Sequence, residues 1–161
     1  MDIILWRHAD AVSSEDDDCL RKLTGKGRRQ AAQIAAWLDR HLPDGAKIVS
    51  SPVIRARETA EALAQKYNRK LTINPELGPG AAPVQLLIAA GWPDNRHPVV
   101  IVGHQPALGR LGSFLLFGEE QNTTIRKASV WWLTNRARED LGESKEAYPV
   151  SLRAAVCPDF L

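Results

Sequence analysis

Arg7 and His8 stand directly behind the apolar run Ile3-Ile4-Leu5-Trp6. A short apolar run of this kind reads as a buried strand. A guanidinium and an imidazole at its end are poor core material, because charged side chains are seldom fully buried unless paired. They are good chemistry instead. A neutral imidazole nitrogen is a nucleophile, and a guanidinium grips phosphate oxygens two at a time.

Two more places carry the same residue types. Ser50-Ser51 ends the segment Lys47–Ser50, and Arg55 follows in the first turn of the next expected helix. His104 follows Gly103 at the end of Val99-Val100-Ile101-Val102, a run whose β-branched content predicts a fully buried strand. In an open α/β sheet, ligands bind beyond the carboxyl ends of parallel strands. If these three strands are parallel neighbours, two histidines and two arginines converge. Such a cluster is costly without a dianion between the guanidinium groups. The remaining histidines, His41 and His97, sit beside loop prolines and read as ordinary surface residues, and Arg28, Arg29 and Arg57 read as solvated helix faces.

The elements that must position these residues alternate between strand-like and helix-like, which argues for an α/β layer fold. Strand 1 covers roughly residues 2–6. Thr24 is the expected N-cap of a helix carrying Ala31, Ile34, Ala35, Leu38 and Leu42 at helical spacing, ended by Pro43. Ser51-Pro52 reads as N-cap and first-turn proline of a second helix that buries Val53, Ala56, Ala60, Leu63 and Tyr67. Leu71–Ile73 is a short strand, 74–83 a loop, Val84–Ala90 a helix, and a further helix carries Leu108, Leu111 and Leu115. Ala128–Thr134 and Val150–Val156 read as two late strands, the second alternating cleanly at a sheet edge. Of Trp131 and Trp132, neighbours on a strand, one is expected in the core.

Composition narrows the function. The 161 residues, 44% hydrophobic and 25% charged, suit one globular domain over 1–161. No apolar run approaches the ~20 residues that span a bilayer, and the first residues lack the basic start of a secretory signal. With Cys19 and Cys157 as its only cysteines, the chain is expected in a reducing cytoplasm. A net charge of +2, with bases scattered among acids, argues against nucleic acid. Gly25-Lys26-Gly27 lacks the third glycine of a dinucleotide loop, because position 30 is Gln. No Walker loop, no Gly-x-Ser-x-Gly elbow and no metal-ligand spacing occurs, so neither a metal nor a cofactor is expected.

Arg7-His8-Ala9, the segment Ser50-Ser51-Pro52-Val53-Ile54-Arg55-Ala56-Arg57-Glu58-Thr59-Ala60, and Val102-Gly103-His104-Gln105-Pro106 resemble, in order, the three signature segments of the histidine phosphatase superfamily. The short length, the Arg-His-Ala variant and Leu20-Arg21-Lys22-Leu23-Thr24-Gly25-Lys26-Gly27 are most similar to its SixA-type phosphohistidine phosphatases. The resemblance implies a three-layer α/β/α fold with a central, mostly parallel sheet. It implies that His8 is the nucleophile, phosphorylated during turnover, and that Arg7, Arg55 and His104 bind the phosphoryl oxygens. Arg21 is a further phosphate-side candidate, against a reading as a solvated arginine balancing the acidic run Glu15–Asp18. Phosphate or sulfate is expected to occupy such a site.

Larger members of that superfamily supply a carboxylic acid to protonate a departing alkoxide. Between Ile73 and Val84 the only acid here is Glu76, whose place does not clearly match. An imidazole leaving group depends less on such an acid, since it is protonated near neutral pH. The expected substrate is therefore a phosphohistidine-bearing signalling or phosphotransfer protein. The alternatives are a broad-specificity or sugar-phosphate phosphomonoesterase, and a non-catalytic phosphate- or protein-binding module. The run Glu15–Asp18 reads as a solvated loop, or as a rim that repels small anions. Asp10 is a candidate to hold a site group by hydrogen bonding.

Overall fold

The apolar run 3–6 forms the centre of β1 (Asp2–Arg7), and all four of its residues are fully buried. In the computed structural model, which describes residues 1–13, 17–135 and 150–161, β1 lies inside a six-stranded sheet. The other strands are β2 (Lys47–Ser50), β3 (Leu71–Ile73), β4 (Val99–Gly103), β5 (Val130–Asn135) and β6 (Val150–Val156). Their order is β3-β2-β4-β1-β5-β6. The pairs β3/β2, β2/β4 and β4/β1 are parallel, whereas β5 and β6 join antiparallel.

Helices cover both faces, which is why β1 and β4 are continuously apolar rather than alternating. Ile4, Trp6, Ile48, Val100 and Val102 face α1 (Gly25–His41) and α2 (Ile54–Ala64). Ile3, Leu5, Val49, Val99 and Ile101 face α3 (Pro83–Ala90) and α4 (Ala107–Phe117). Each fully buried aliphatic side chain contributes roughly 1.5–3 kcal/mol, so β1 is clamped from both sides. This is the expected three-layer α/β/α arrangement with a mostly parallel sheet. Among the described residues, no helix is long and apolar enough to cross a membrane.

Most local expectations hold. Thr24 caps α1, its side chain accepting from the Gly27 N–H, and the helix stops just before Pro43. Three differ. Helix α2 begins at Ile54 with Val53 in the cap position and no side-chain cap, so Ser51 is not its N-cap. Strand β5 begins at Val130, because Ala128 adopts φ 59° in a turn closed by Ser129 N–H donating to the Arg126 carbonyl. In β6 the register shifts opposite Trp132/Leu133, where Ala154 and Leu152 are the successive partners and Arg153 is bulged. The bulge breaks the clean alternation: Ala154 and Val156 pack toward α1 and α2, Val150 toward the other face, and Leu152 is exposed. Of the two neighbouring tryptophans, Trp132 lies in the core and Trp131 is half-buried on the opposite face.

Candidate active site

Register brings the three expected strand ends together. Arg7 pairs with Gly103 across β1/β4, and Ser50 pairs with Val102 across β2/β4. His104 therefore emerges between His8 on one side and the β2–α2 turn on the other. The backbone of Arg7-His8 is held from both sides: the His8 N–H donates to the Gly103 carbonyl, and the Arg7 N–H to that of Ser129, both at 3.1 Å. Trp6 Nε1 donates to the Ala128 carbonyl at 2.9 Å, pinning the segment before β5 against β1.

The two imidazoles lie 5.2 Å apart between ring centroids, and His8, His104 and Arg55 are each less than 8% exposed. His8 Nδ1 lies 2.8 Å from the Ala9 carbonyl. A carbonyl only accepts, so Nδ1 carries the proton and Nε2 carries the lone pair. Arg55 Nε donates to that lone pair at 3.3 Å. Burial pushes the His8 pKa down from 6.5 to about 4, and the Arg55 and Arg7 charges act in the same direction. His104 falls to about 3, through burial first and then through repulsion by His8 and Arg55. Both rings are neutral at physiological pH, as a nucleophilic imidazole must be.

His104 Nε2 meets the Ser51 hydroxyl at 2.8 Å, and Ser51 Oγ also accepts from the Val53 N–H at 3.3 Å. When Ser51 donates its O–H to Nε2, the remaining ring proton sits on Nδ1, which is buried and has no hydrogen-bond partner among the described residues. Arg7 donates from Nη1 to the Ile125 carbonyl at 2.8 Å, while its buried Nε has no partner among the described residues. Burial also lowers the Arg7 pKa. Buried N–H groups are rarely left unpaired, so these two, on residues beside His8, are donors open to a further acceptor.

Arg55 has an internal anion. Its Nη2 donates to Asp18 Oδ2 at 2.8 Å and its Nη1 to the Asp18 carbonyl. Arg21 Nη1 donates to the other Asp18 oxygen at 2.8 Å, and Arg21 Nε to the Val12 carbonyl at 2.6 Å. Hydrogen bonds from Arg21 and then Arg55 hold the Asp18 carboxyl below its usual range. Arg21 thus reaches the cluster through Asp18, and one residue of the expected acidic rim is a structural partner of a candidate phosphate ligand. Glu15 and Asp16 lie outside the described residues. Asp10 accepts from Thr24 Oγ1 at 2.9 Å and Lys127 at 2.7 Å, tying the loop after His8 to α1 and to the segment before β5. Glu76 lies in a turn just past β3, where Gln85 Nε2 donates to it at 3.0 Å. Among the described residues, none of His8, Arg7, Arg55 or His104 hydrogen-bonds to it.

Two supporting residues, Thr59 and Gln105, were given no role by the sequence, and Ser51 was given a different one. Ser51 hydrogen-bonds to the His104 ring rather than capping a helix. Thr59, fully buried, accepts from the Ala9 N–H at 3.0 Å and donates to the Arg55 carbonyl at 2.7 Å, so it couples the His8 loop to the Arg55 turn. Gln105 links Gly109 at the start of α4 to the Thr123 carbonyl. The available signal was a polar residue one helical turn beyond Arg55 on a buried face, which marks Thr59; Gln105 carried none.

Two neutral imidazoles and two guanidinium groups thus stand together at the carboxyl edge of a three-layer α/β/α sheet. Residues 3–78 match the family model of the histidine phosphatase superfamily (branch 1). An uncharacterized protein of Picosynechococcus sp. is 32% identical over 148 residues, covering 85% of this chain and 87% of that protein. The phosphohistidine phosphatase SixA of Escherichia coli is 29% identical over 136 residues, covering 81% of this chain and 84% of that protein. The structure of the protein histidine phosphatase SixA complexed with tungstate superposes with a TM-score of 0.78 at 22% identity, covering 99% of both chains. The chain belongs to the histidine phosphatase superfamily. Within it the chain is SixA-like, and its general activity is that of a phosphatase.

Proposed function

We propose that the chain hydrolyses phosphohistidine on a signalling or phosphotransfer protein, acting as one catalytic domain over residues 1–161 in the cytoplasm. The observation that carries this reading is the state of His8: buried, neutral, and protonated on Nδ1, so that Nε2 carries the lone pair for attack, held by a long contact from Arg55 Nε. Nε2 attacks the phosphorus in line. The bond from phosphorus to the substrate imidazole breaks as the bond to His8 forms. The leaving imidazole, protonated on its other nitrogen, departs neutral and needs no acid from the enzyme. Water then attacks the phosphorus on His8, releasing inorganic phosphate and regenerating the imidazole.

Arg7 Nε and His104 Nδ1, two of the buried nitrogens that have no partner among the described residues, supply donors for the phosphoryl oxygens. Arg55 adds the two guanidinium hydrogens left after Nε, Nη1 and Nη2 have each donated one. Arg21 contributes at the rim through Asp18. Catalysis is then positioning plus electrostatics fixed in advance of the reaction. The same cradle accommodates free phosphate, sulfate or tungstate, the last being the ligand of the related SixA structure. The SixA relatives and the leaving-group argument favour phosphohistidine over a monoester.

The deciding experiment combines kinetics with trapping. A phosphorylated histidine-containing phosphotransfer protein is expected to show a higher kcat/KM than p-nitrophenyl phosphate, and radiolabelled phosphate should appear acid-labile on His8. His8→Ala should abolish both turnover and labelling. Turnover retained in His8→Ala would refute the mechanism. A kcat/KM no higher than that on p-nitrophenyl phosphate would turn the reading into the broad phosphomonoesterase.

A further inference from the structure

A cleft of about 430 Å³ opens beside the phosphoryl cradle, and the proposed reaction uses only one of its walls, Arg7. Lys26, Arg126 and Lys127 also line it, against two carboxylates, Asp10 and Asp159. Both acids are already engaged, Asp10 by Lys127 at 2.7 Å and Asp159 by Arg126 at 3.1 Å. Four cations against two acids leave the cleft net positive. Among the described residues, neither Arg7 nor Lys26 pairs with an acid.

The walls are built into the fold. The segment before β5 is fastened to β1 by Arg7 donating to the Ile125 carbonyl, by Trp6 donating to that of Ala128, and by the Ala128 N–H donating to the His8 carbonyl. Lys26 sits in the first turn of α1, which packs so tightly on the loop after His8 that a Cβ on neighbouring Gly27 would overlap the Asp10 carbonyl. The cleft therefore keeps its place relative to the nucleophile. Gln30, Thr124 and Ser129 give its remaining lining a polar character suited to a hydrated, charged group.

We propose that this cleft recognises a second anionic group of the substrate, a carboxylate carried close to the phosphorylated residue. Under the proposed function, that carboxylate is an Asp or Glu flanking the phosphohistidine of the partner protein; the inference rests on that reading for the source of the carboxylate and not for its chemistry. Arg7 belongs to both spaces, so the two anions are bridged by one guanidinium and must lie near one another in the substrate. The outer cations are solvent-exposed, so the recognition weakens as salt is added.

The test compares kcat/KM within two substrate pairs on the full chain. One pair is a phosphohistidine peptide with acidic flanks and the same peptide with amide flanks. The other is phosphoglycolate and ethyl phosphate. Exposed charge pairs of this kind each change binding by up to about fivefold, so the acidic peptide should be favoured by about tenfold at low salt. The double substitution Lys26→Gln, Arg126→Gln should bring that ratio toward one, and Lys26→Glu, Arg126→Glu should invert it. Each ratio is taken within one variant, so a fraction of misfolded protein cancels. A wild-type ratio of one in both pairs, or a ratio unmoved by charge reversal, overturns the proposal. Peptides turned over without an acidic preference overturn the cleft's assigned source while leaving the proposed function intact. A carboxylate preference confined to the small esters, with phosphohistidine peptides left unhydrolysed, keeps the cleft and overturns the proposed function.

Discussion

Acidification from pH 8 to pH 5 should weaken this fold by about 4 kcal/mol through two side chains alone. His8 and His104 have pKa values near 4 and 3 in the folded protein, against 6.5 for a free imidazole. At pH 5 the unfolded chain binds a proton on both rings almost completely, whereas the folded chain keeps both nearly neutral. Each ring then favours unfolding by RT times the logarithm of about 30, or about 2 kcal/mol. Because the folded pKa values are depressed, the stabilisation is complete above pH 6.5 and drains away as pH falls through 6.5 toward 4 and 3. Against a typical total of roughly 5–15 kcal/mol, the loss is large.

The assay is urea unfolding followed by tryptophan fluorescence, for which the chain carries five tryptophans. With a slope of about 2 kcal/mol per molar urea, the midpoint should drop by about 2 M between pH 8 and pH 5 at constant slope. A variant carrying His8→Asn and His104→Asn should lose that part of the pH dependence. An unchanged wild-type midpoint, or a double variant that keeps the full drop, would refute the claim that the fold holds both rings neutral.

Two other perturbations probe the frame around these rings. Asp18→Asn removes the charge that pairs with Arg55 and Arg21, so inorganic phosphate should inhibit about two- to fivefold more strongly and KM for small monoesters should fall correspondingly; a higher KM with a lower kcat would show instead that the carboxylate mainly orients Arg55. Gly27→Ala places a Cβ 1.9 Å from the Asp10 carbonyl oxygen, and relieving that overlap should cost about 1–3 kcal/mol and lower kcat by displacing the loop after His8; an unaltered urea midpoint would refute the close packing.

Local sequence carried the strand ends, because each is a buried apolar run that stops at a polar residue, and the Thr24 cap, because its partner is three residues away. It could not carry Ser51. A serine followed by proline has the composition of a helix cap, and what overrides that preference is an imidazole 53 residues further along the chain. Asp18 was legible only as one of a run of acids; its two arginine partners come from its own turn and from α2. The β6 bulge has no local mark either. Val150, Leu152, Ala154 and Val156 alternate as an ideal strand, and only pairing with β5 shows where the register slips. The parts read from sequence are those fixed by neighbours in the chain, and the parts missed are those fixed by contacts across the fold.

The cost of burying this cluster explains its resting state. Arg55 is 5% exposed, yet Asp18 supplies its counter-charge from the rim. The two imidazoles avoid the cost of burial by staying neutral, and Arg7 meets it in part with the Ile125 carbonyl. Among the described residues, the group set against the His8 lone pair is Arg55 Nε, at 3.3 Å, longer than most N–H hydrogen bonds and correspondingly easy to give up. A phosphoryl group approaching Nε2 offers that donor an oxygen carrying negative charge, a stronger partner than a ring nitrogen. On the proposed mechanism, the contact that holds the lone pair in readiness is thus traded for one that stabilises the transferred group, and the same arginine serves both before and during the attack.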